Sequence, residues 1–208
     1  MALQKRTLWK LGIFIVMITP MYVLISQWYL LLNNEPAPAL GANPIQATVL
    51  QTGELAIRAL VIALAVSPLA TLLRKPQILT VRRMLGLFAF FYATLHGLSY
   101  IGMDQLFSLK TLWVDLIKRW PISLGMLGWL LLLPLAITST QAMVKKLGAK
   151  TWKQLHRGVF AVAVVAAAHN ILIVKGLQVE PLVYAAILAL LLIYRLLGRP
   201  RLPKRAAA

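Results

Sequence analysis

Residues 151–174 read TWKQLHRGVFAVAVVAAAHNILIV. From Val159 onward this stretch has no charge, and its only polar side chains are His169 and Asn170. An apolar helix of about 20 residues spans the ~30 Å hydrocarbon core of a bilayer. The stretch therefore reads as a membrane crossing, entered past Lys153, His156 and Arg157, with an imidazole set far along it. It holds two of the chain's three histidines, thirteen residues apart.

Working outward, five more stretches have the same character. The expected spans are residues 11–32, 50–73, 84–103, 121–139, 154–174 and 181–197. Across its 208 residues the chain is 60% hydrophobic and 13% charged, against about 25% charged in soluble domains. These numbers predict an all-α, polytopic membrane bundle of six transmembrane helices, with residues 1–208 forming a single transmembrane domain. No length is left for a soluble nucleotide-binding or catalytic domain, which is expected on another chain. The run at 11–32 is long for a signal peptide, and no small-residue cleavage site follows it closely, so it is kept as a helix. Pro20 is expected to kink it, and Pro121 suits the first turn of the fourth span.

The formal net charge of +17 does not point to nucleic acid, because the basic residues lie in short links between apolar runs. Lys5, Arg6 and Lys10 precede the first span. Arg74, Lys75, Arg82 and Arg83 fill one alternate link, and Lys145, Lys146, Lys150, Lys153 and Arg157 the next. Arg195, Arg199, Arg201, Lys204 and Arg205 close the chain. The opposite side has Lys110, Lys118, Arg119 and Lys175, and all five acids fall there or nearby. The positive-inside rule then places both termini in the cytoplasm. In a bacterial host the other face is periplasmic. There is no cysteine, which excludes disulfides and thiolate ligation of iron–sulfur clusters or metals.

At 1.5 Å per helical residue, His96 lies about 18 Å and His169 about 22 Å from the cytoplasmic ends of spans three and five. Both spans run outward, so the two imidazoles share one depth in the outer half of the membrane. Paired imidazoles on facing helices suit the axial sites of a haem, and filling both favours electron transfer over oxygen chemistry. Ala93, Gly97, Ala166, Ala167 and Ala168 are expected to leave room for a flat macrocycle, with Phe91, Tyr92 and Tyr100 at its edges. A membrane histidine often only hydrogen-bonds across a helix interface; the matched depth favours ligation. A metal-transport path would call for more ligands.

His156 sits about 20 Å from His169 along the helix, near the cytoplasmic surface. It suits a second haem completed by another ligand, contact with a flavin or quinone headgroup, or a plain interfacial position. Arg58, an arginine within span two, suits a haem propionate or an ion pair with Glu54. Arg82 and Arg83 with Lys145, Lys146 and Lys150 suit an anionic cofactor or partner, or are ordinary positive-inside charge. Trp152 is expected to be an interface anchor.

The runs RRMLGLFAFFYATLHGLSY (82–100), RWPISLGMLGWLLLLPLAITSTQAMVKKLGAKTWKQLHRGVF (119–160) and HNILIVK (169–175) resemble the MsrQ family, formerly YedZ. These are haem-binding membrane subunits within the ferric-reductase-like transmembrane superfamily, and the likeness runs from about Leu8 to Leu197. It implies b-type haem iron, one or two per chain, and bound FMN, in a multi-pass protein of the bacterial inner membrane. Electrons would come from a cytosolic flavin reductase using NAD(P)H, or from the quinone pool. They would pass to MsrP, a periplasmic molybdopterin enzyme that repairs methionine sulfoxide in oxidised proteins, and the sulfoxide chemistry would belong to that partner. The family's haem histidines match His96, His156 and His169. The chain departs from some relatives at Leu50, where they carry a histidine, which weakens any scheme with an outer-surface ligand from span two. Competing functions are a ferric or other metal reductase, a quinol-oxidising cytochrome b serving another acceptor, and a non-redox membrane anchor or small transporter. The outer links 33–49 and 104–120 are the expected partner surface.

Overall fold

The computed structural model describes residues 2–174, 176 and 178–197, with side chains from residue 7 onward. The basic side chains of Lys5, Arg6, Lys175, Arg199, Arg201, Lys204 and Arg205 lie outside the described residues. Among those described, all regular structure is helical: α1 (Ala2–Leu32), α2 (Pro44–Leu72), α3 (Arg82–Ser99), α4 (Leu109–Lys118), α5 (Trp120–Ile137), α6 (Gln141–Leu147), α7 (Ala149–Leu155), α8 (Val159–Ile173) and α9 (Val179–Leu196). A 3₁₀ turn at Pro76–Val81 leads into α3, a π turn at Tyr100–Asp104 ends it, and a 3₁₀ turn at His156–Gly158 joins α7 to α8.

Six segments are long and apolar enough to cross a membrane: Thr7–Leu32, Pro44–Leu72, Pro76–Asp104, Trp120–Ile137, Ala149–Ile173 and Val179–Leu196. The protein is a multi-pass, all-helical membrane protein, and each expected span falls on one of these. In hydrocarbon every backbone polar group needs an internal partner, which the helices provide. Side-chain caps close the ends that emerge into loops. Asn43 accepts from the Gln46 amide at α2, Ser108 from Thr111 at α4, and Thr140 from Met143 at α6. Pro121 stands in the first turn of α5, as its sequence position predicts. α1 runs without interruption across Pro20.

The centre belongs to α2. Its Ile57, Ala59, Leu60 and Leu64 pack with Phe88, Ala89 and Tyr92 of α3, Leu135 of α5, Val162 and Ala163 of α8, and Leu188 of α9. The span in α2 is 39% buried, whereas that in α1 is 6% buried. The large exposed apolar side chains of α1 and α9 are what lipid contact calls for, since acyl chains are as apolar as the residues themselves. α3 is packed closely on α2, and α8 on α5, while α3 and α8 have little backbone contact with each other. The imidazoles of α3 and α8 meet between these two tight helix pairs.

Candidate functional site

His96, near the end of α3, and His169, near the end of α8, face each other with ring centroids 6.0 Å apart and planes at 74°. His96 Nδ1–H donates to the Val49 carbonyl at 2.9 Å, and His169 Nδ1–H to the Pro121 carbonyl at 2.7 Å. A carbonyl can only accept, so in the neutral ring Nδ1 carries the proton and Nε2 keeps the lone pair. Both imidazoles are thus held in the tautomer that leaves Nε2 free to bind a metal.

The two halves repeat one device. A Cβ added at Gly53 would lie 2.9 Å from His96 Nδ1, and one added at Gly125 would lie 2.9 Å from His169 Cε1. Gly53 stands four residues after Val49 on α2, and Gly125 four after Pro121 on α5. In each half, one helical turn supplies a carbonyl for the ring nitrogen and a bare Cα for the ring face. In the α2 half the Val49 carbonyl also accepts from Thr52 Oγ1 at 3.0 Å.

These residues fit an iron held between two imidazoles. Metal–nitrogen bonds of about 2.0 Å, with each ring centre roughly 1.2 Å behind its nitrogen, put the centroids about 6.4 Å apart when the three points are in line. The observed 6.0 Å agrees to a few tenths of an ångström. Among the described residues no three His, Cys, Asp or Glu side chains cluster as metal ligands. The pair alone would starve a bare ion of ligands, but it suffices when a macrocycle fills the equatorial positions.

The surroundings differ from the sequence expectation. The glycines in close contact with the rings are Gly53 and Gly125, on other helices, while a Cβ at Gly97 would meet open space. Residues adjacent to a histidine in sequence are rotated about 100° from it around the helix, so the residue against its ring comes from another helix. Tyr92 is also not at the site. It is 1% exposed, and its hydroxyl donates to the Met17 carbonyl of α1 at 2.5 Å. Phe91 packs beside it in the core, its ring edge-on to both Phe88 and Tyr92. Tyr100, in the π turn just beyond His96, hydrogen-bonds to Asp115 of α4, which also pairs with Arg119.

His156 stands at the other end of the α7–α8 rod. Its Nδ1–H donates to the Trp152 carbonyl at 3.1 Å, and its Nε2 is buried without a hydrogen bond. Its ring stacks on Trp152 with centroids 3.9 Å apart, and the Arg83 guanidinium lies 5.9 Å from the Trp152 ring centroid. Trp152 Nε1–H donates to the Thr138 carbonyl at 2.9 Å and ties α7 to the end of α5. Of the two expectations for Arg58, the ion pair with Glu54 is present. Arg58 Nε also donates to the Tyr184 hydroxyl at 2.8 Å, and Glu180 lies 3.8 Å away, so the residue joins α2 to α9.

Comparison with known proteins gives this geometry a family. Residues 52–167 match the family described as ferric reductase like transmembrane component. The chain is similar to the protein-methionine-sulfoxide reductase heme-binding subunit MsrQ of Rhodospirillum rubrum, 49% identical over 162 residues and 78% of each chain. It is 43% identical to that of Caulobacter vibrioides over 159 residues and 76% of each chain. The magnetosome protein MamZ of Magnetospirillum gryphiswaldense is 37% identical over 191 residues, covering 92% of this chain and 29% of MamZ. By these matches the chain belongs to the ferric reductase-like transmembrane family, within its MsrQ branch.

Proposed function

We propose that the protein is a b-type cytochrome subunit of the bacterial inner membrane. In this reading it carries electrons from the cytoplasmic side, or from quinol, to a periplasmic molybdopterin methionine sulfoxide reductase of the MsrP type. The observation that carries the reading is the His96–His169 pair, 6.0 Å apart with each Nδ1 committed to a backbone carbonyl. Haem held there supplies one-electron chemistry. The protein's own part is to clamp it from two sides, hold the imidazole tautomers and shorten the path across the bilayer. No side chain at the pair is placed to act as acid, base or nucleophile on an organic substrate, so sulfoxide reduction falls to the partner.

Both termini lie in the cytoplasm in this scheme, because the basic links all sit at one end of the bundle. There the Arg83–Trp152–His156 stack, with Arg82 and the basic link residues Lys145, Lys146 and Lys150 at the same end of the bundle, suits FMN or a second haem, and the docking of a cytosolic flavin reductase using NAD(P)H. Arg58, half-exposed beyond its pairing with Glu54, supplies positive charge for a haem propionate on the α2–α9 side. The outer links 33–49 and 104–120 face the periplasmic partner.

The test is a reduced-minus-oxidised optical spectrum of the purified protein with haem quantified per chain, alongside His96→Ala and His169→Ala. A low-spin b-type spectrum in the wild type, lost in both variants, is expected. A colourless wild type, well folded and made with ample haem, would sink the reading. Reduction of the purified molybdopterin partner by the pre-reduced protein separates this function from ferric reduction. Sensitivity to quinone-site inhibitors marks quinol as the donor.

A further inference from the structure

α4 is not a membrane span, yet it carries an apolar stripe. Leu109, Trp113 and Ile117, spaced four apart on one side, are 79%, 65% and 66% exposed. Leu106, Phe107 and Trp120 extend the apolar surface at its two ends, at 79%, 71% and 79% exposure. Leu106 and Phe107 hold φ of 48° and 57°. Side chains with a Cβ resist that left-handed region, so the strain is spent at two large apolar residues that stay on the surface. The other side of α4 is seated on the protein. Asp115 takes the Tyr100 hydroxyl and Arg119, and the Leu116 carbonyl accepts from Ser123 Oγ at 2.6 Å.

The chain places this stripe at the membrane boundary. The preceding span ends at Asp104, and the next begins at Trp120, with Arg119 alone between α4 and α5. α4 is therefore tethered at both ends to segments leaving and entering the bilayer. Lys110 and Lys118 run along one flank of the stripe, an amphipathic pattern that suits the headgroup zone of anionic lipid. A Trp at the middle of the strip, Trp113, and another at its end, Trp120, also suit that depth.

We propose that α4 is an interfacial helix, seated in the headgroup zone of the leaflet opposite the basic links. Leu109, Trp113 and Ile117 point into the acyl boundary, and Lys110 and Lys118 meet lipid phosphates. Through Tyr100 and Asp115 the helix is tied to the turn that follows His96, so the bilayer itself seats a roof over the imidazole pair. This rests on the six spans and stands whether or not haem is bound.

The chain has no cysteine, so single labelling sites are unambiguous. Trp113→Cys and Thr111→Cys, about 200° apart around the helix, would carry an environment-sensitive fluorophore. The full chain would sit in nanodiscs of phosphatidylethanolamine and phosphatidylglycerol containing doxyl lipids. The label at 113 is expected to be blue-shifted, quenched several-fold more by shallow doxyl lipid than the label at 111, and shielded from iodide. Replacing Lys110 and Lys118 by Gln should weaken the quenching in anionic discs and leave it unchanged in zwitterionic ones. Iodide access at 113 without doxyl quenching overturns the proposal and gives the stripe to water or a soluble partner. Equal doxyl quenching at 111 and 113 overturns it as well, since the stripe would then have no preferred side. Ile117→Cys, one turn along, supplies the same reading if Trp113→Cys fails to fold.

Discussion

At the scale of single residues, the imidazoles depend on what is missing opposite them. Gly53 and Gly125 leave their rings touching bare backbone, and a Cβ at either would sit 2.9 Å from a ring atom. Real Cβ atoms essentially never come so close, so the ring must move, and its bond to Val49 or Pro121 moves with it. Gly53→Ala and Gly125→Ala are each expected to lower haem per chain or alter the low-spin spectrum, measured after purification by the pyridine haemochrome. Gly86→Ala, on α3 but ten residues before His96, is the contrast, because its Cβ would meet open space. It should keep full haem and gain up to about 1 kcal/mol of helix stability. Loss of haem in Gly86→Ala but not in Gly125→Ala would refute this account of the cradle.

At the scale of elements, a few polar contacts hold helices whose apolar faces are interchangeable with lipid. α1 is the least buried span, and its link to α3 includes the Tyr92 hydroxyl on the Met17 carbonyl. Tyr92→Phe should cost about 1 kcal/mol and raise hydrogen exchange in α1, with the optical spectrum unchanged. Likewise Trp152→Phe keeps a ring to stack on His156 but loses the donor to Thr138. It should loosen the α5–α7 junction by a similar ~1 kcal/mol, read as a lower unfolding midpoint in detergent. Unchanged stability in both variants would mean that packing alone seats these helices.

At the scale of the whole molecule, charge and cofactor act on every span at once. With the basic links confined to one end, a green fluorescent protein fused at the C-terminus should fluoresce, and alkaline phosphatase fused there should be inactive. The reverse pattern would invert the proposed direction of electron flow. A ligand bound only by the folded bundle stabilises it by mass action. Haem-depleted protein should therefore unfold at a lower temperature than the loaded form. The difference should vanish in His96→Ala, which no longer has the clamp.

Much of this was legible in the sequence, and what was legible is additive and local. Span number and approximate limits follow from apolar length, which a bilayer reads segment by segment. The shared depth of His96 and His169 follows from a constant helical rise and needs no packing. Rotation about each helix axis was not legible. α5 and α8 are apolar on nearly every side, so no polar stripe says which face turns inward, and nothing in the local sequence points to Gly53 or Gly125 as the residue behind a ring. Tyr92 was misplaced because it lies one turn from His96 on α3 yet reaches toward α1, a contact that only helix packing sets. Only the tertiary structure decided which carbonyl and which glycine stand behind each ring, because those atoms belong to other helices and meet the imidazoles only when the two tight pairs, α2–α3 and α5–α8, come together.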